Sequence, residues 1–190
     1  MLYLDDGFAA LDIARALAAV PAARRARALA YRRDDDRRQS LAAYLLLKRA
    51  LKEDYGLDEE VELVYSSAGR PALVGHPEIR LSLSHCPRAV ACALSSRPVG
   101  VDVEEIRPVD AEVARAVLSP AEIARLKAGD GREVEFARLW TRKEALVKCR
   151  DLTLADADIP QLLEGPDLPA FTTRVNRARH YVVSVCEERR

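Results

Sequence analysis

The chain has 190 residues, 49% apolar and 32% charged, and its 30 basic side chains are balanced by 30 acidic ones. Zero net charge argues against a protein that coats nucleic acid, since such domains carry a clear basic excess, but it allows a local phosphate-binding patch. Four cysteines without a C-x-x-C pair, three dispersed histidines, no basic leader and no long apolar run argue against zinc, disulfides, secretion and a membrane span, so a reduced cytoplasmic protein is expected.

Along the chain, residues 8–30 are rich in Ala, Leu and Arg and read as one or two helices. Arginines cluster here and just beyond, at Arg24, Arg25, Arg27, Arg32, Arg33, Arg37 and Arg38. The spacing of Leu41, Tyr44, Leu45 and Leu51 predicts a helix over about 40–54, with Gly56 as its stop signal. Residues 61–65 alternate as a strand does, and Gly69-Arg70-Pro71 makes a turn. Two strands follow, about 79–85 and 88–95, and a third runs from Val99 to Glu104. Ser119-Pro120-Ala121-Glu122 carries a capping box with proline at the first helical position. A helix is expected over about 133–149, and a closing hairpin pairs 171–176 with 181–186. This order predicts an α+β fold of two similar halves, 1–98 and 99–190, in a pseudo-twofold arrangement, although no residue-level repeat links them.

Chemistry is concentrated in the second half. In Gly100-Val101-Asp102-Val103-Glu104 the valines share one strand face and the two carboxylates share the other. Neighbouring carboxylates repel unless a cation or proton lies between them, and Mg²⁺ is commonly held by one or two carboxylates plus phosphates and water. Taken alone, the pair reads better as a solvent-facing strand edge that contributes little to core packing. The helix over 133–149 changes the balance. Glu144 and Lys148 lie one turn apart at the edge of a stripe containing Phe136, Leu139, Trp140, Leu146 and Val147, while Lys143 falls inside it. A lysine there must snorkel outward or find a buried anionic partner, for which metal-held phosphates are a candidate.

The two segments together, with Trp140-Thr141-Arg142-Lys143-Glu144-Ala145-Leu146-Val147-Lys148 some forty residues after the first, resemble the signature motifs of the Sfp-type 4′-phosphopantetheinyl transferases. Gly69-Arg70-Pro71 is similar to the family's G-K-P turn, and Leu83-Ser84-His85-Cys86 to its L-S-H-S strand end. The resemblance implies transfer of the phosphopantetheine arm of coenzyme A to a serine of an acyl or peptidyl carrier protein, with release of adenosine 3′,5′-bisphosphate. It implies that Asp102, Glu104 and Glu144 bind Mg²⁺, and that Lys148, with Lys143, contacts the phosphates. Ser84, His85 and Arg38 would hold the nucleotide end of coenzyme A, Arg70 takes the place of a phosphate-contacting lysine, and Arg24 or Arg25 supplies a further phosphate contact. Glu144 is the candidate base for the serine proton, beside Lys148. Arg70 stands where relatives have lysine, and Glu105 where many have lysine. Without the resemblance, His85, on the face of Leu81 and Leu83, reads as a satisfied core histidine; with it, a phosphate contact is the better reading. Two other readings are a trimeric holo-acyl-carrier-protein synthase type and a non-catalytic module for coenzyme A or Mg-nucleotide. The motif's position after a hundred folded residues favours a monomer with its site between halves.

Overall fold

The computed structural model describes residues 1–58, 60–128 and 131–189. It is built around two three-stranded antiparallel sheets. The first contains β1 (Leu2–Asp5), β4 (Arg80–Cys86) and β5 (Ala89–Ser95), with β5 in the middle; the second contains β6 (Val99–Glu105), β7 (Ala170–Asn176) and β8 (Tyr181–Glu187), with β8 in the middle. Two short helices, α1 (Ile13–Ala18) and α2 (Ala22–Leu29), and the long α3 (Asp34–Tyr55) follow β1. After β6 come α4 (Ala111–Val117), α5 (Pro120–Ala128) and the long α6 (Arg132–Cys149). Each half therefore runs strand, two short helices, long helix, hairpin, and the last strand of each takes the centre of its sheet. The expected duplication is a duplication of topology. A small hairpin of β2 (Leu63–Tyr65) and β3 (Pro71–Leu73) is inserted in the first half.

The alternation in β5 joins the halves. Val90, Cys92 and Leu94 pack with Leu46, Leu47, Ala50 and Leu51 of α3 in one core. Ala89, Ala91 and Ala93 face the other way, into a core shared with Val99, Val101, Val103, Tyr181 and Val183. Small side chains on that face let the second sheet approach, and both faces of β5 are dry, as suits a central strand. The edge of β6 that has no strand partner faces β4 and is bonded by hydroxyls: Ser82 Oγ accepts from the Val101 N–H at 3.0 Å and Ser84 Oγ from the Val103 N–H at 3.3 Å. Two β4 side chains thus satisfy amides that the ladder leaves open.

Most expected elements lie where the pattern puts them, with three differences, the first being β3, which begins at the proline of the expected turn and is defined by its pairing with β2. β1 was not expected; at four residues it is too short to show a period, and its pairing with β5 defines it. α3 begins at Asp34, not near Ser40, because Asp34, Asp35 and Asp36 suit the positive end of a helix. It stops at Gly56, whose left-handed conformation (φ 69°) accompanies bonds from the N–H groups of Gly56 and Leu57 back to Lys52 and Leu51. No helix among the described residues is long and apolar enough to cross a membrane.

Candidate active site between β6, β4 and α6

Gly100, Asp102 and Glu104 occupy the face of β6 that packs on α6. A Cβ at Gly100 would stand 1.9 Å from the Ala145 carbonyl oxygen and 2.6 Å from the Cys149 nitrogen, so only glycine lets helix and strand meet this closely. That contact brings Lys148 Nζ to 2.6 Å from Asp102 Oδ1. The same ammonium lies 3.5 Å from Glu144 Oε2, one helical turn away, and 3.3 Å from Ser84 Oγ. Ser84 donates its own proton to Asp102 Oδ1 at 2.7 Å.

Asp102 is not the solvent-facing strand carboxylate expected from its sequence. It is 2% exposed, sealed between β4 and α6. Its Oδ2 is buried without a partner among the described residues. A buried acceptor left open costs free energy, and carboxylates so placed call for a cation or donor that arrives with a ligand. Burial, then Asp102 and Glu144, push the Glu104 carboxyl up to about 7. Burial, then Asp102, also raises Glu144, against the opposing pull of Lys148. Burial opposes the charge on Lys148, but Asp102 and Glu144 outweigh it and raise its pKa. One ammonium thus pairs with Asp102 and Glu144, and Glu104 adds a third carboxylate beside them, so the cluster is short of positive charge. Among the described residues, no three His, Cys, Asp or Glu side chains are gathered closely enough to hold a metal ion as they stand.

One of the sequence-based assignments needs correction. Lys143 does not face the cluster: it is fully buried, with Nζ 2.8 Å from Glu122 Oε2, 2.7 Å from the Ile159 carbonyl and 3.0 Å from the Pro160 carbonyl. A lysine inside the apolar stripe did require a buried anion, and Glu122 supplies it, so Lys143 has no way to reach a phosphate. Ser84 is buried, and its hydroxyl bonds to Asp102, the Val103 N–H and Lys148, which joins it to the carboxylate cluster.

His85 is exposed, which removes the core-histidine alternative. Its Nδ1 lies 3.0 Å from Gln39 Oε1, and crowding by protein, then Lys148 and Arg24, lowers its pKa. With Gln39 accepting at Nδ1, an anion at Nε2 needs the imidazolium form, which the anion itself would favour. Arg38 donates to the Leu11 carbonyl and to Asp35 at 2.9 Å, beside a cavity of about 300 Å³ lined also by Gln39, Phe8 and Pro87.

Arg24 and Arg25, indistinguishable in sequence, point differently. Arg25 bonds back to the carbonyls of Leu17 and Val20. Arg24 donates to the carbonyl and hydroxyl of Ser40, lies 5.5 Å from the Tyr44 ring, and keeps a buried Nε without a partner among the described residues. Arg27 stacks over Tyr65 at 4.3 Å, and both arginines line a cleft of about 490 Å³. Arg70 donates to the carbonyls of Cys149 at 3.2 Å and Val99 at 3.3 Å, tying the end of α6 to the start of β6. The structure does not bring it into the carboxylate cluster. Sequence reasoning missed Gln39 and Tyr65, which carry no motif, placed Arg27 only within the arginine cluster, and missed the groove of about 350 Å³ where Phe136, Trp140, Val113 and Val117 adjoin Glu104.

Comparison with known proteins bears on this constellation. Residues 98–187, which contain β6, α6 and all three carboxylates, match the model of the 4′-phosphopantetheinyl transferase superfamily. The chain belongs to that superfamily. A 4′-phosphopantetheinyl transferase of Bacillus subtilis is 29% identical over 150 residues, which cover 77% of this chain and 67% of that protein. The transferase psf-1 of Bacillus pumilus is 32% identical, covering 76% and 64%, and AcpT of Salmonella typhi is 37% identical, covering 65% and 66%. The chain thus spans about two thirds of the length of these relatives. A holo-[acyl-carrier-protein] synthase structure from Thermotoga maritima overlaps 48% of this chain and 64% of its own at a TM-score of 0.36 and 19% identity, too slight a likeness to bear on the fold. As a phosphopantetheinyl transferase of the holo-carrier-protein synthase class, the chain is an enzyme, and its family match covers the half that holds the carboxylates.

Proposed function

We propose that the protein transfers the 4′-phosphopantetheine arm of coenzyme A to a serine hydroxyl of an apo acyl or peptidyl carrier protein, in an Mg²⁺-dependent reaction that releases adenosine 3′,5′-bisphosphate. The observation that carries this reading is the cluster of Asp102, Glu104 and Glu144 around Lys148, with a buried open oxygen on Asp102. These donors suit a hard divalent ion, being carboxylate oxygens, one of them buried and open, with raised pKa values on Glu104 and Glu144, and the side chains would have to draw together to close on it. Asp102, Glu104 and Glu144 would hold the ion, with phosphate oxygens and water completing its shell. Bound there, Mg²⁺ would neutralise charge developing on the pyrophosphate.

The remaining chemistry falls to side chains. The serine oxygen attacks the phosphorus that bears the pantetheine arm, and the bond to the adenosine bisphosphate oxygen breaks. Lys148 is placed to add positive charge at those phosphates, and Ser84 holds Asp102 in place. Glu144 is the base that receives the serine proton: it stands one helical turn from Lys148, and burial, then Asp102, raise its affinity for a proton above that of an ordinary carboxylate. Arg24, Arg27 and Tyr65 offer the nucleotide end a basic cleft with an aromatic face, supported by His85 and Arg38. A division into halves at 98/99 puts Ser84 and His85 in one and the carboxylates in the other. Since one chain supplies both walls, the working unit is a monomer, and the cell compartment is the cytoplasm. Incubation with coenzyme A, Mg²⁺ and a panel of apo carriers tests the reading. A mass gain of one phosphopantetheine supports it; coenzyme A binding without transfer to any carrier supports a binding module instead.

A further inference from the structure

Lys143 is the residue of the motif that the reaction leaves unused, and its surroundings give it a role. Its ammonium is fully buried and bonded to acceptors from two elements outside α6: Glu122, at the start of α5, and the carbonyls of Ile159 and Pro160 in the segment after α6. Glu122 is itself held. Its Oε2 accepts from the Ser119 N–H at 2.9 Å while its own N–H donates to Ser119 Oγ at 3.3 Å, so the capping box fixes the carboxylate before the lysine meets it.

We infer that Lys143 is a positioning residue: the Glu122–Lys143 lock sets the rotation and register of α6, so that Glu144 and Lys148 are presented to Asp102. The inference rests on the transfer reading of that site. An apolar side chain in an apolar stripe tolerates small slides. A buried ammonium does not, because one residue of register is about 1.5 Å of rise and about 100° of rotation, enough to break all three bonds with no water to replace them. A buried ion pair adds little stability over apolar residues of the same shape, and its best-attested use is to specify register. Glu144 follows Lys143 directly, and the Lys148–Asp102 contact of 2.6 Å depends on the same helix setting.

The test is the double variant Glu122→Gln/Lys143→Met. Glutamine preserves the capping box and methionine the apolar stem, so the fold is retained while the lock is removed. Three quantities are read: turnover on an apo carrier, the stoichiometry of adenosine 3′,5′-bisphosphate binding by calorimetry, and peptide-resolved hydrogen exchange. The expected result is binding by nearly every chain, turnover reduced at least ten-fold per binding-competent molecule, and lost protection over 141–149 and 159–162 with the first sheet unchanged. Wild-type turnover, a turnover loss matched by an equal loss of binding stoichiometry, or unchanged exchange in α6 would overturn the inference. If the double variant does not fold, Glu122→Gln alone is read by the same criteria, with a smaller loss expected. Absence of transfer by the unaltered protein would remove the functional reading, while hydrogen exchange would still test the lock.

Discussion

α6 carries two buried lysines with opposite surroundings. Lys143 is sealed, and its ammonium has one carboxylate and two carbonyls at hydrogen-bond distance. Lys148 is 30% exposed and stands among three carboxylates, of which Asp102 keeps an open oxygen and Glu104 and Glu144 have raised pKa values. The first cluster is satisfied, so a ligand has nothing to add to it. The second is short of positive charge and reaches solvent at Lys148 and Glu144, so a ligand or ion that brings cations and donors completes it. Five residues apart on one helix, the same side chain serves structure in one place and chemistry in the other.

The largest effect that would sharpen this contrast is expected from the open cluster. Asp102→Asn should lower carrier modification at least about 100-fold, the scale of removing one preorganised electrostatic partner, with Lys148→Ala close behind. Asp102→Ala should also lose stability, contrary to the sequence-based expectation of an intact fold, because it leaves Lys148 beside an empty site. Since Lys148 is partly solvated, that loss should be about 1–2 kcal/mol, below the range for a fully buried pair. Wild-type turnover in Asp102→Asn would break the comparison.

A second effect is pH dependence without metal. Glu104 holds its proton to about 7 in the folded protein, whereas the unfolded chain releases it near the ordinary carboxylate value of about 4.3. The group therefore favours folding most below that lower value, and its contribution is lost as pH rises to about 7. Glu144 acts in the same direction, and His85, with a lowered pKa, acts in the other. The measurement is thus the urea midpoint of wild type against Glu104→Gln from pH 5 to 8. Wild type should lose stability relative to the variant with rising pH, and Mg²⁺ should reduce the difference. A difference that is flat in pH would contradict the assignment.

Smaller effects concern the first half. Arg24→Ala should raise the coenzyme A KM about ten-fold, the worth of one charged hydrogen bond, while Arg25→Ala leaves it unchanged. Equal effects would mean that the open Nε of Arg24 is not aimed at ligand. Arg70→Ala should cost roughly 1 kcal/mol in thermal stability through its two carbonyl bonds. If Arg70 also meets a phosphate, the KM rises as well; a lower turnover at unchanged stability and KM would exclude both roles.

Much of this was legible in the sequence, for physical reasons. Period-two and helical patterns located β4 to β8, α3 and α6, and the capping box at Ser119 stands as written. The shared face of Asp102 and Glu104 follows from strand geometry. What did not follow is what lies against that face. Burial of Asp102 depends on α6 closing over Gly100, and the partner of Lys143 depends on a helix start twenty-one residues earlier. Periodicity marked Lys143 as anomalous but could not choose between a phosphate and Glu122. Arg24 and Arg25 differ only in which way a short helix turns.

The most direct test of the central claim is mass spectrometry of apo carrier proteins treated with coenzyme A by wild type and Asp102→Asn, each with Mg²⁺ and with a chelator. The account predicts a gain of one phosphopantetheine with wild type and Mg²⁺ alone. No gain on any carrier despite coenzyme A binding, or equal gain with Asp102→Asn, would contradict it.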